Sequence, residues 1–136
     1  FLKALETPQV LAAYDNLDEI WNARAGALNQ QLEQAGLPVR VANLSTIWTV
    51  LYSRPSRYNW MLQYYLRAEG LALSWVGTGR LIFSLDYSDT DFDAVADRFV
   101  AAAAAMKEDG WWWSDPALTD KRIKRGILRE MFSQRF

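Results

Sequence analysis

The sequence predicts an α+β domain: a small, mostly antiparallel sheet covered by a long N-terminal helix and a second helix over Asp89–Lys107. Three observations lead there. Apolar residues recur every three or four positions from Leu11 to Ala35, and again from Phe92 to Ala103. Between these stretches lie segments rich in β-branched and aromatic residues. The resulting order of helix, strands, helix, strands and helix is that of an α+β layer. At 136 residues the chain suits one compact domain able to bury its own core.

Thr7-Pro8 opens the first helix, because threonine caps and proline fits the first helical position. Leu11, Tyr14, Leu17, Trp21, Ala25, Leu28, Leu32 and Ala35 mark one face of a single helix roughly 40 Å long, at 1.5 Å per residue. Gly36 ends it and Pro38 blocks continuation. VRVANLSTIWTVLYS (Val39 to Ser53) reads as one bent strand or two short ones around Asn43 to Ser45. Arg54-Pro55-Ser56 breaks it, and RYNWMLQYYLRAEG forms a short helix with Trp60, Met61, Tyr64 and Tyr65 as its apolar stripe. LALSWV and RLIFSL read as strands on either side of Gly77-Thr78-Gly79. Ser88-Asp89-Thr90 supplies caps for the next helix, whose acidic first turn and Lys107 near the end both suit the helix dipole. After Gly110 come Trp111, Trp112 and Trp113, a Ser-Asp-Pro break, and a basic helix from Thr119.

Composition narrows the function. The chain has no cysteine and no histidine, which removes disulfides, thiolate metal sites, His-type zinc sites and His-dependent triads. A net charge of −1 gives no global field for nucleic acid or an anionic membrane. No apolar run reaches about 18 residues and no signal peptide is evident, so the expected location is the cytoplasm. The chain opens on Phe1 and reads as a fragment or a processed piece.

Arg80 follows Gly77 and Gly79. A phosphate-binding glycine loop needs a third glycine and a following helix, and both are missing. Two readings stay open: a hairpin turn with an ordinary surface arginine, or a turn that aims one guanidinium at a carboxylate. Trp111–Trp113 invite base stacking, but no basic face surrounds them, and they are read as cover for a domain or subunit interface. The tail carries Lys121, Arg122, Lys124, Arg125, Arg129 and Arg135 with Ile123, Ile127, Met131 and Phe132 at helical spacing. Such a helix binds a membrane surface or a partner, or more often docks on its own protein. Asp86, Asp89, Asp91 and Asp93 lack the glycine and glutamate of a calcium loop and are read as helix-start residues.

The order of these segments resembles the C-terminal small domain of class III pyridoxal-phosphate (PLP) enzymes, the group of glutamate-1-semialdehyde aminomutase and the ω- and ornithine-type aminotransferases. The resemblance runs from about Leu5 to Met106. GLPVRVANLSTIWTVLYS is similar to the family's GLPVRV…GSMFTLFF, with Ser45, Thr46, Ile47, Trp48 and Thr49 standing for Gly-Ser-Met-Phe-Thr. EGLAL (Glu69 to Leu73) resembles EGVYL, and RLIFSLDYSDTDFDAVADRFVAAAAAM resembles the family's final strand and helix. Trp75 replaces an aminomutase-type proline, and Phe83-Ser84 replaces a Pro-Pro pair.

The resemblance implies a small domain over 1–109 of a larger enzyme, followed by a Trp-rich segment and basic helix over 110–136. It implies a fold like that of the C-terminal domain of fold-type I PLP enzymes, an upstream large domain, a homodimer and an amino-acid-like substrate. It makes Arg80 the residue that binds the substrate carboxylate, as the matching arginine does in many aminotransferases. It places PLP, and the lysine and acidic partner that hold it, in the upstream domain. Lys3, Lys107, Lys121 and Lys124 all lie near helix ends or in the tail, so no catalytic, cofactor-binding or metal residue is expected within this chain. The rival is a non-catalytic module that holds a protein partner through Trp111–Trp113 and the basic tail.

Overall fold

The computed structural model describes residue 3, residues 6–73 and residues 79–133. The elements are α1 (Pro8–Tyr14), α2 (Leu17–Gln34), β1 (Val39–Leu44), β2 (Ile47–Tyr52), a 3-10 turn (Asn59–Met61), α3 (Leu62–Ala68), β3 (Arg80–Ile82), α4 (Asp89–Glu108) and α5 (Asp120–Ser133). The strands form one antiparallel sheet in the order β1-β2-β3. The expected α+β class holds.

Packing explains the layers. Trp21, Ala25, Leu28 and Leu32 of α2 are buried with Phe92, Val95, Ala96, Phe99, Ala102, Ala103 and Met106 of α4. They meet Val39, Val41, Trp48, Val50 and Leu81 from the inner face of the sheet. Trp48 lies at the centre, edge-on to Trp21 at 6.0 Å and close to Phe83 at 5.2 Å and Phe92 at 5.3 Å. Arg24 lies over Trp21 at 4.7 Å, and donates to the Tyr87 carbonyl and to Asp89 Oδ1. It thereby ties α2 to the start of α4.

The single long helix expected at the N-terminus is two. Asp15 turns extended and Asn16 adopts φ 56°, in the left-handed region that asparagine tolerates better than most residues. Leu11 and Tyr14 continue the apolar spacing yet stand exposed, so no buried side chain holds α1 in line with α2. The short helix also differs. Its 3-10 start shifts the phase, so that Leu62 and Leu66 are buried while Trp60 and Tyr64 stand exposed against each other at 5.6 Å. Leu71–Leu73 of the expected LALSWV strand are irregular, and 74–78, including Gly77 and Thr78 of the turn, lie outside the described residues.

Gly36, Gly70 and Gly110 each follow a helix with positive φ, and the next amide donates back to Leu32, Leu66 and Met106 respectively. Side chains of α4 satisfy further terminal carbonyls: Lys107 Nζ donates to Ala35 O at 2.9 Å, and Arg98 Nη1 to Glu69 O at 3.2 Å.

The Val39–Ser53 stretch resolves into a hairpin, with Leu44 paired to Ile47 across Ser45-Thr46. Ser45 holds φ 51°, and its buried hydroxyl has no partner among the described residues. Glycine relieves both costs while adding freedom to the unfolded chain. Ser45→Gly is therefore expected to raise stability by about 0.5–1 kcal/mol in urea unfolding. A loss of stability would count against this account of the turn.

The helix expected after Ser88 is α4, closed by a complete capping box. Ser88 Oγ accepts from Asp91 N, and both the Ser88 hydroxyl and amide donate to Asp91 Oδ2 at 2.6 and 3.0 Å. Those bonds, the hydroxyl's first, hold the Asp91 carboxyl below the usual aspartate range. A depressed folded pKa adds stability that is complete above the unfolded value and lost as pH falls through the folded one. Thermal melts between about pH 5 and pH 2 should show a smaller acid-induced loss for Asp91→Asn than for wild type. Equal losses would remove Asp91 from the account.

Candidate functional site

The alternation of the strands sorts the sheet residues. Val39, Val41, Trp48, Val50 and Leu81 face the core. Their neighbours in sequence project from the opposite face, on which Ala42, Thr49 and Arg80 form one cross-strand row and Leu44, Ile47 and Ile82 the next. Leu44, Ile47 and Ile82 are 77%, 47% and 64% exposed, so one side of the sheet is uncovered by the described residues and apolar. Arg80 is exposed beside that row.

Gly79 aims it there. With φ +60°, Gly79 makes a turn that L side chains rarely adopt, and its carbonyl accepts from Val50 N at 2.9 Å. The pairing then runs through Arg80–Thr49 to Phe83, whose amide donates to Thr46 O at 3.1 Å. No hydrogen bond or ion pair joins the Arg80 guanidinium to another described residue. The face thus presents two permanently charged forks, Arg80 in the row of the Thr49 hydroxyl and Arg40 one row further along, together with a strip of apolar side chains. That is a surface suited to a carboxylate on a small organic body. Thr49 and the Leu44–Ile47–Ile82 row were missed by sequence reasoning; the alternation in VRVANL and IWTVLY was the available signal, but it needed the strand register to join them to Arg80.

The three tryptophans differ in their surroundings. Trp112 is half-buried, donates from Nε1 to Ala103 O at 2.9 Å and lies near Tyr52. Trp111 and Trp113 flank Tyr58 at 5.3 and 6.2 Å and are 36% and 49% exposed. Beside them, Leu118, Ile123, Gly126 and Ile127 border a shallow groove of about 400 Å³. Arg57 reaches α5 across it and meets both oxygens of Glu130, at 3.0 and 2.7 Å. The hydrogen bonds from Arg57 hold the Glu130 carboxyl below its usual range. The helix is tethered there, but it buries no residue.

The lysines do not suit a cofactor pocket. Lys107 caps α2, while Lys121 and Lys124 are exposed on α5 and Lys3 is exposed near the N-terminus. Among the described residues no charged or polar residue is buried as a whole, although Ser45 Oγ and Arg24 Nε are shielded from solvent, and there is no cluster of metal-ligating groups. None of their helices is long and apolar enough to cross a membrane.

No family model and no curated protein matches the chain. Solved structures do. An omega-transaminase from Sphaerobacter thermophilus aligns with a TM-score of 0.61 and 19% identity over 77% of this chain and 26% of its own. A transaminase with PLP bound aligns with a TM-score of 0.61 and 21% identity over 79% of this chain and 26% of its own. The chain spans about a quarter of the length of each and shares that part's fold. The fold implied by the sequence resemblance is therefore the fold found.

Proposed function

We propose that this chain is the C-terminal small domain of a PLP-dependent aminotransferase or aminomutase, with 1–109 as the domain proper and 110–136 an appended segment. The observation that carries this reading is the uncovered sheet face with Arg80 beside an apolar strip, in a fold shared with transaminases. That face packs toward an upstream large domain, and Arg80 fixes the carboxylate of an amino-acid-like substrate in the space between them. Fixing the substrate by a planar fork orients the reacting end and lowers the entropic part of the barrier. PLP supplies the electron-accepting chemistry of amino transfer. The lysines of this chain do not fit it, so the cofactor belongs to the upstream domain.

The test is borohydride reduction of the full-length protein loaded with PLP, followed by peptide mapping. Label should fall on one lysine preceding Phe1 and leave Lys3, Lys107, Lys121 and Lys124 untouched. Stoichiometric label on any of these four would overturn the assignment. The rival reading, a non-catalytic module that holds a protein partner through Trp111–Trp113 and the basic tail, draws on the exposed Ile127, Leu128, Met131 and Phe132 of α5.

A further inference from the structure

Where α2 runs into β1, an open cavity of about 720 Å³ is bordered by three cations and one carboxylate. Lys107 comes from the last turn of α4, Arg40 from β1, Arg54 from the segment after β2, and Glu33 from α2. Three positive charges against one negative leave a net +2 around a single cavity. None of the four is in an ion pair with a described residue, whereas Arg24 and Arg57 each hold a carboxylate. Lys107 is fixed in place, because its Nζ donates to Ala35 O at 2.9 Å and to Gly36 O at 3.4 Å. Those acceptors are neutral, so its charge stays uncompensated. Arg54 is exposed and its side chain has no hydrogen bond to a described residue. Arg40, on the edge strand, borders the open sheet face as well as this cavity.

The backbone adds a donor at the same place. Asn29 accepts from the Val41 amide at 2.8 Å and donates to Val41 O at 2.9 Å, which closes that stretch of the free edge of β1. By the alternation of the antiparallel ladder Val39 turns its amide to the same edge, where no described side chain meets it. Trp112, held by its indole bond to Ala103 O, supplies an apolar wall.

We propose that this cavity binds a phosphoryl group, free or carried by a small organic molecule. A phosphate monoester holds about −1.5 to −2 charges near neutral pH, which a net +2 matches and a single carboxylate does not. Its oxygens suit the planar fork of Arg54, the Lys107 ammonium and the Val39 amide, with Arg40 at the rim. An organic body, where there is one, lies against Trp112. The inference stands apart from the aminotransferase reading, since neither Arg80 nor Thr49 borders the cavity.

Isothermal titration of the 136-residue chain with phenyl phosphate, inorganic phosphate and benzoate, at one ionic strength, tests it. Phenyl phosphate should bind one to one with a Kd below about 1 mM, and benzoate about ten-fold more weakly or worse. Inorganic phosphate within about three-fold of phenyl phosphate assigns the site to the phosphoryl group alone, and a wider gap in favour of phenyl phosphate adds the organic body. Arg54→Ala and Arg40→Ala should each weaken phenyl phosphate about ten-fold, while Lys121→Ala, an exposed cation outside the cavity, should change nothing. All three side chains are exposed, so thermal melts should show the variants folded. Absence of saturable binding up to about 10 mM phenyl phosphate overturns the proposal. So does equal affinity for benzoate, or Arg54→Ala and Arg40→Ala variants that bind as Lys121→Ala does.

Discussion

Replacing Trp48 with alanine is expected to cost about 3–5 kcal/mol of folding stability. Trp48 is 1% exposed on the central strand, and its ring touches Trp21, Phe83 and Phe92. It joins the sheet to both covering helices in one contact cluster, so alanine leaves a cavity that no single neighbour can fill. The indole Nε1 also donates to Ser45 O at 3.1 Å, within the turn that sets the hairpin register. A domain of this size has about 5–15 kcal/mol in total, so the variant should be largely unfolded at modest urea concentrations. Trp48→Phe keeps an aromatic body and should lose less than half as much. Urea unfolding followed by far-ultraviolet circular dichroism measures both without depending on the remaining tryptophans. A cost below about 1 kcal/mol for the alanine variant would mean that the core is centred elsewhere.

What could be read from the sequence depended on whether a local signal had a competitor. The Ser88 cap and the Phe92–Ala103 stripe agree with each other, and α4 begins and buries its side chains as they indicate. The hairpin was half legible, because β-branched residues mark strands but only Ser45's left-handed turn decides between one strand and two. The apolar spacing runs unbroken through Asp15-Asn16, so periodicity alone could not show the break between α1 and α2. Trp60 and Tyr64 were misjudged because a 3-10 turn changes the phase of the helix that follows it. The same limit applies to α5: its pattern resembles that of a docked helix, while burial is a property of what lies opposite. Arg80 could be singled out by its place after Gly79 and by family resemblance. Its neighbours on the open face could not, because they come from two other strands and meet only through the register.

The claim that this face receives a substrate carboxylate rests on Arg80, and the largest functional effect is expected there. Arg80→Ala should remove a bidentate charged contact of about 1.5–3 kcal/mol, lowering kcat/KM for an amino-acid donor roughly ten- to hundred-fold. Arg80→Lys should recover little, because a point charge cannot reproduce the planar fork. Stability should hardly change, since the guanidinium has no partner among the described residues to lose. The most direct measurement is steady-state kinetics of the full-length protein and both variants with two donors, an amino acid and a simple amine lacking the carboxylate. The account predicts the loss with the amino acid and near wild-type kcat/KM with the amine. An equal loss on both donors, or no loss on either, would contradict it and leave Arg80 as an ordinary residue of the sheet.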